Sequence, residues 1–383
     1  MLTNLNKSPF TYWGGKSDAA ESVWAALGDV TNYVEPFAGS LAVLLRRPHP
    51  ANRTYYSETV NDLDALLVNA WRGIAADPEG VAKHASWPVS EADLMARHLA
   101  LVAWRNAGTP ERLMADPDFY DAKMAGWWVW GTSCWIGSGW CTGTGAWVVG
   151  PDGRITKNSG HNGVARQIPH LSKAGQGVNH PGVRESGVAR QIPHLSSTGQ
   201  GVNHPGSRSP GVSEGSEFHP MTMPETVRWM QFLSARLRHV RILNGSWERV
   251  CTGGVLKNLS VRQGKGVAGV FLDPPYDNNE RTEGLYVHDS GAVATDAREW
   301  CKANGDDPMY RIVLAGYDTE HTELETHGWR VVEWFKSGFL KGGMAVQSAD
   351  GTSQRRERLW LSPHCLDATA EPVSMTLDDL FGF

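Results

Sequence analysis

The chain has 383 residues, 41% of them hydrophobic, which is enough to fill one large domain or two smaller ones. No apolar run is long enough to span a bilayer and no secretory signal opens the chain, so a cytoplasmic protein without a membrane partner is expected. Its net charge of −5 gives no overall attraction for nucleic acid, and its five scattered cysteines, odd in number and without a CxxC pair, speak against a disulfide framework or a zinc site.

Residues 1–16 read as a loop ending in Tyr12-Trp13-Gly14-Gly15-Lys16. The glycine pair would let the backbone approach a ligand, although a plain turn has the same composition. A helix is predicted from Asp18 to Leu27, with Asp18 and Glu21 as a capping-box-like start and Gly28 as its stop. Tyr33-Val34-Glu35 is a short strand, followed by the small-residue turn Pro36-Phe37-Ala38-Gly39-Ser40 and a helical pattern over Leu41–Leu45. Strand, turn, helix is how a Rossmann-type half begins, and without GxGxxG a phosphate site is a poor reading. Arg53–Ser57 is the second predicted strand, ending near Asn61-Asp62. An acid there suits a ribose diol. Glu58 and Asp64 are rivals for that role, and an N-cap for a helix over Leu66–Trp71 fits the local sequence as well.

From 85 to 126 the pattern is helical. Six tryptophans (127, 128, 130, 135, 140 and 147) then fall among glycines, serines and threonines, a composition that predicts an irregular or β-rich unit. These rings could stack on bases, but filling a small core is the favoured reading for most of them. Cys134, Cys141 and His161 have poor spacing for a metal, and none is expected. Residues 163–210 hold a tandem repeat of period 24, rich in Gly, Pro, Asn and His, with too little apolar surface for a core. It lies in a locally basic stretch, and each copy carries an Arg-Gln pair able to donate to bases: Arg166-Gln167 and Arg190-Gln191. A duplicated loop with no contact role is the alternative. Order returns with a helix over Pro224–Arg238, a strand at Val240–Leu243 and a short helix within 248–257.

The stretch Gly269-Val270-Phe271-Leu272-Asp273-Pro274-Pro275-Tyr276 carries the most information. Its apolar run predicts a central strand, and two prolines end that strand by fixing φ and removing two N–H donors. Asp273 is thereby set at a strand's C-terminal end, where open α/β sheets bind ligands. A carboxylate, a free proline carbonyl and an aromatic face in one loop can hold a planar amine. A strand-ending turn has the same residues. Strands over Tyr310–Ala315, Trp329–Phe335 and Arg358–Leu361, with a helix near 319–326, complete the pattern. Residues 366–383 read as an acidic tail; its end resembles short peptides that dock on bacterial sliding clamps.

Four motifs taken in this order resemble the D12 class of N6-adenine DNA methyltransferases, in its Dam-like, phage-encoded branch. They are Pro9-Phe10-Thr11-Tyr12-Trp13-Gly14-Gly15-Lys16, Glu35–Ser40, Asn61-Asp62-Leu63-Asp64 and Asp273-Pro274-Pro275-Tyr276. One departure is Ser40-Leu41, where the family often has a second small residue. The resemblance implies a Rossmann-like class I methyltransferase fold with a mainly parallel sheet. The catalytic part would comprise 1–85 and 240–365, interrupted by a target-recognition insert over 86–239. It implies S-adenosylmethionine as methyl donor, double-stranded DNA as partner, and a setting in restriction–modification or evasion of host defence. Carried over by position, Tyr12, Trp13, Gly14, Gly15, Lys16, Glu35, Phe37, Gly39 and Asp62 would line the cofactor pocket. Asp273, Pro274, Pro275 and Tyr276 would form the catalytic loop, with Asp273 between cofactor and target. Transfer to N4 of cytosine or to adenine in RNA shares this loop chemistry, and a catalytically silent DNA-binding relative would share the fold.

Overall fold

The computed structural model describes residues 7–10, 12, 15–48, 56–135, 140–141, 147–149, 155–157, 223–276, 292–334 and 356–367. The repeat with Arg166, Gln167, Arg190 and Gln191, His161, residues 368–383 of the acidic tail, Trp13 and Gly14 lie outside these residues.

Among the described residues seven strands form one sheet: β1 (Asn32–Glu35), β2 (Ser57–Asp62), β5 (Val240–Asn244), β6 (Ala268–Leu272), β7 (Tyr310–Tyr317), β8 (Arg330–Val332) and β9 (Glu357–Leu361). β3 (Trp147–Val149) and β4 (Ile155–Lys157) form a separate antiparallel pair. The order across the sheet is β5-β2-β1-β6-β7-β9-β8. The contacts from β5 to β7 are parallel, whereas β9 runs antiparallel to both of its neighbours. The chain builds outward from β1 to β2 and β5, then returns to place β6 on the other side of β1. This reversal makes a crevice beyond the C-terminal ends of β1 and β6, the place where open α/β sheets take ligands.

Alternation along each central strand assigns the two faces. Tyr33, Phe271, Val313, Leu359 and Leu361 point into one buried layer, and Val34, Val270, Leu272, Ile312, Leu314 and Trp360 into the other. The first face is covered by α1 (Ala20–Leu27), α2 (Ala65–Ala76), α3 (Pro78–Ala85), α6 (Ala122–Cys134) and α7 (Met223–Leu237). α4 (Glu91–Asn106) and α5 (Thr109–Ala115) flank this layer. The second face carries α8 (Gly253–Leu256), α9 (Leu259–Arg262) and α10 (Ala292–Asn304).

Several local expectations change. α1 begins after Ala19 with no side-chain cap, so Asp18 does not cap it; Gly28 ends it with φ +63°. The helix expected over Leu41–Leu45 is a single 3₁₀ turn, Leu44–Arg46. Pro48 accounts for this, because the residue before a proline is driven from helical to extended backbone, and Arg47 has ψ 122°. Trp127, Trp128 and Trp130 lie on α6 rather than in an irregular or β-rich unit. Asp121 caps that helix by accepting from Met124 N. Gly126 lets it approach α3 so closely that a Cβ would stand 2.4 Å from His84 Cβ. Trp128 and Trp130 are buried, in keeping with core filling. The segment 319–326 is a 3₁₀ turn, Thr322–His327.

Candidate active site

A cavity opens at the crevice. Each strand end delivers one acid to it: Glu35 from β1, Asp62 from β2 and Asp273 just beyond β6. Parallel pairing carries all three to one edge of the sheet: Glu35 is level with Val60, and Asp62 lies two residues further on, as does Asp273 on the other side, where Val34 is opposite Val270.

Asp62 joins the first two loops. Its Oδ2 accepts from Gly39 N and its Oδ1 from Asp64 N, both at 2.9 Å. Burial is the main influence on its carboxyl and, despite these backbone donors, lifts the pKa to about 6. The alternatives to Asp62 are engaged elsewhere. Asp64 is the N-cap of α2, accepting from Leu66 N and Leu67 N. Glu58 is buried between Arg47 and Arg236.

Gly39 requires its residue type: φ is +47°, and a Cβ would lie 3.1 Å from the Tyr12 ring. Leu41 takes a left-handed φ of 54° while fully buried, so the turn closes on a large side chain where a second small residue was the family pattern. Phe37 stacks on Trp247 with centroids 5.9 Å apart. Glu35 is 2% exposed; burial raises its pKa well above the ordinary value, the Tyr33 hydroxyl bonded at 3.0 Å pulls it back, and the Asp273 charge adds to the rise.

At the loop after β6, Lys16 Nζ is 3.1 Å from Asp273 Oδ1, and the Tyr276 hydroxyl donates to the same oxygen at 3.3 Å. Burial raises the Asp273 pKa, against the pull of Lys16 and Tyr276. The Lys16 ammonium also lies 4.9 Å over the Tyr276 ring, and that ring packs on Tyr317 at 4.7 Å.

Tyr12, Gly15, Lys16, Glu35, Phe37, Gly39, Asp62, Asp273 and Pro275 therefore surround one cavity, although more than 250 residues of chain separate the first from the last. Pro274 is buried behind them and Tyr276 joins through Asp273. Sequence reasoning missed Trp247, Tyr317, Asp296 and Glu357. Trp247 follows β5, Tyr317 ends β7, Asp296 faces the cavity from α10, and Glu357 begins β9. The only local signal was the position of Trp247 and Tyr317 close to the ends of predicted strands.

The strand order, the antiparallel β9 and the acids at successive strand ends define an α/β Rossmann-like methyltransferase fold. Residues 12–93 match the family model of the D12 class N6 adenine-specific DNA methyltransferases. The matched segment contains β1, β2, two of the four sequence motifs and the Tyr12–Lys16 part of a third, and it supports DNA adenine methylation in general. No curated protein matches the chain.

Proposed function

We propose that the protein transfers a methyl group from S-adenosylmethionine to the exocyclic N6 of an adenine turned out of double-stranded DNA at a specific sequence. The observation that carries this reading is the convergence of Asp273 with the three N-terminal motifs on one cavity. The residues present suit the donor. Asp62 offers carboxylate acceptors for a ribose diol, and Phe37 with Trp247 offers a flat apolar wall for a ring. Asn61 Oδ1 is a buried acceptor at this cavity with no hydrogen-bond partner among the described residues. The acids Glu35 and Asp273 complement a cation. Bound there, S-adenosylmethionine supplies an electrophilic methyl on a sulfonium.

The chain's own residues would do the rest by alignment. The adenine amine is a poor nucleophile because its lone pair is delocalised into the ring. A carboxylate oxygen of Asp273 and the Pro274 carbonyl accept its two N–H bonds, which favours a pyramidal nitrogen with its lone pair directed into the cavity. Tyr276 stacks on the base. Turning the base out of the duplex costs a few kcal/mol, and Arg166, Gln167, Arg190 and Gln191 in the insert would offset that through DNA contacts. Acidic residues 366–383 could add a sliding-clamp contact.

Expression in a methylation-free host followed by mapping of modified bases across its DNA tests the reading. N6-methyladenine at one recurring sequence is expected. N4-methylcytosine, or unmodified DNA beside methylated RNA, would replace the proposal, and no methylated base at all would leave a binding protein.

A further inference from the structure

Lys16 sits between two acids. Its Nζ lies 3.1 Å from Asp273 Oδ1 and 3.5 Å from Glu357 Oε2, with only 4% of the side chain exposed. Register brings Glu357 there: β9 is antiparallel to β7 and pairs Glu357 with Tyr317, so its first residue lies level with the end of β7. On Asp273, the Lys16 and Tyr276 contacts both fall on Oδ1. Oδ2 has no hydrogen-bond partner among the described residues.

We propose that Glu357 is a positioning residue for methyl transfer: by taking a share of the Lys16 ammonium it keeps that cation on Oδ1 of Asp273 and leaves Oδ2 open to the target amine. The inference rests on the function proposed above. An ammonium has three donors and no preferred plane. Facing a single carboxylate, it settles between both oxygens and competes with the amine. A second acceptor on its far side prevents this, and the Tyr276 ring bounds a further side.

The electrostatics give the test its sign. Burial pushes both carboxyl pKa values up, Lys16 draws both down, and Asp273 adds to the rise at Glu357. Among the described residues, the other groups around them are Glu35 from β1, raised first by burial and further by Asp273, and Tyr317 from β7, raised first by burial, then by Glu357 and Glu320, against Lys16 and Arg356. Arg356 lies 5.4 Å over the Tyr317 ring and is paired with Asp318. With Glu357 neutralised, more of the Lys16 charge turns to Asp273, which then ionises at lower pH while its second oxygen becomes occupied.

The experiment uses the full chain without methyl donor, with ¹³C in the Asp and Glu side-chain carboxyls. The Asp273 signal is assigned by its loss in Asp273→Asn and the Glu357 signal by its loss in Glu357→Gln. In Glu357→Gln the Asp273 midpoint should fall by roughly one pH unit, and in Lys16→Gln the Asp273 and Glu357 midpoints should rise together. In methylation assays, Glu357→Gln should lower kcat by up to about 10²-fold. The acidic limb of its kcat profile should move to lower pH, with S-adenosylmethionine affinity held, and Glu357→Asp should recover part of the loss. An Asp273 midpoint unmoved in Glu357→Gln overturns the proposal. Should that variant not fold, a Glu357 midpoint unmoved in Lys16→Gln overturns it equally. Absence of methyl transfer by the unaltered protein overturns the reaction and the role with it, while the titrations still report whether the cation is shared.

Discussion

At the scale of single residues, the proposed function gives two carboxylates, Asp273 and Asp62, different work, and their surroundings predict different behaviour. On the proposed reading Asp273→Ala removes an acceptor for the amine, while Glu357 stays beside Lys16. Methylation should fall by at least about 10²-fold; near-normal turnover would remove Asp273 from the chemistry. Asp62 instead predicts pH-dependent donor binding. Its pKa of about 6 means that the ionised form, which accepts from hydroxyls, dominates only above that value. Affinity for S-adenosylmethionine should be full at about pH 8 and drop toward about pH 5, by up to about tenfold per unit. Asp62→Asn should weaken binding and remove this dependence. The same raised pKa makes ionisation costly to folding: the contribution of Asp62 to stability is present below the ordinary carboxylate range and is lost as pH rises through about 6. Calorimetric titration across pH checks the binding, and a slope shared by both proteins would assign it to another group.

At the scale of elements, legibility followed how local the determinant was. β6 could be read because an apolar run and two prolines lie in one stretch, and β1 because its turn follows directly. Glu357 could not be read, because its place beside Lys16 depends on a register with β7 that no residue near 357 encodes. The tryptophan-rich α6 was misleading because its helicity depends on close packing at Gly126 against α3. Glu58 also had two meanings, as a rival to Asp62 or as structure, and its surroundings decide for structure. Burial pulls its pKa up, but Arg236 and Arg47, at 2.7 and 2.9 Å, outweigh that and hold it below the ordinary value. This network ties α7 to β2, and Arg236 also donates to Leu44 O. Arg236→Met leaves a buried carboxylate short of a partner and should cost about 3 kcal/mol in denaturant unfolding. Because the Glu58 pKa is lowered, its contribution is present above the ordinary carboxylate range and lost as pH falls through the folded value. The variant should therefore lose less stability on acidification than the parent. An unaltered unfolding midpoint would show that the network contributes nothing net.

At the scale of the whole molecule, the chain leaves the sheet after β2 and returns to it at β5, and its return is anchored before the sheet resumes. On α7, Met230, Leu233 and Leu237 are buried, Ser234 donates to Ala75 O at 2.7 Å, and Gln231 donates to Glu79 at 2.9 Å. The seat of α7 is thus set by α2 and α3, and loop closure changes only slowly with the length of the intervening chain. Removing residues 163–210 should leave the thermal midpoint, the far-ultraviolet dichroism and the affinity for S-adenosylmethionine unchanged. DNA binding should respond differently, because the segment is basic within an acidic protein. Phosphate contacts release counterions, so affinity should fall and the slope of log K against log salt should flatten by about 0.9 for each contact removed. A shortened protein that bound DNA more weakly at an unchanged slope would assign the repeat to base contacts, as the Arg-Gln pairs allow. Unchanged affinity and slope together would remove the repeat from the DNA interface altogether.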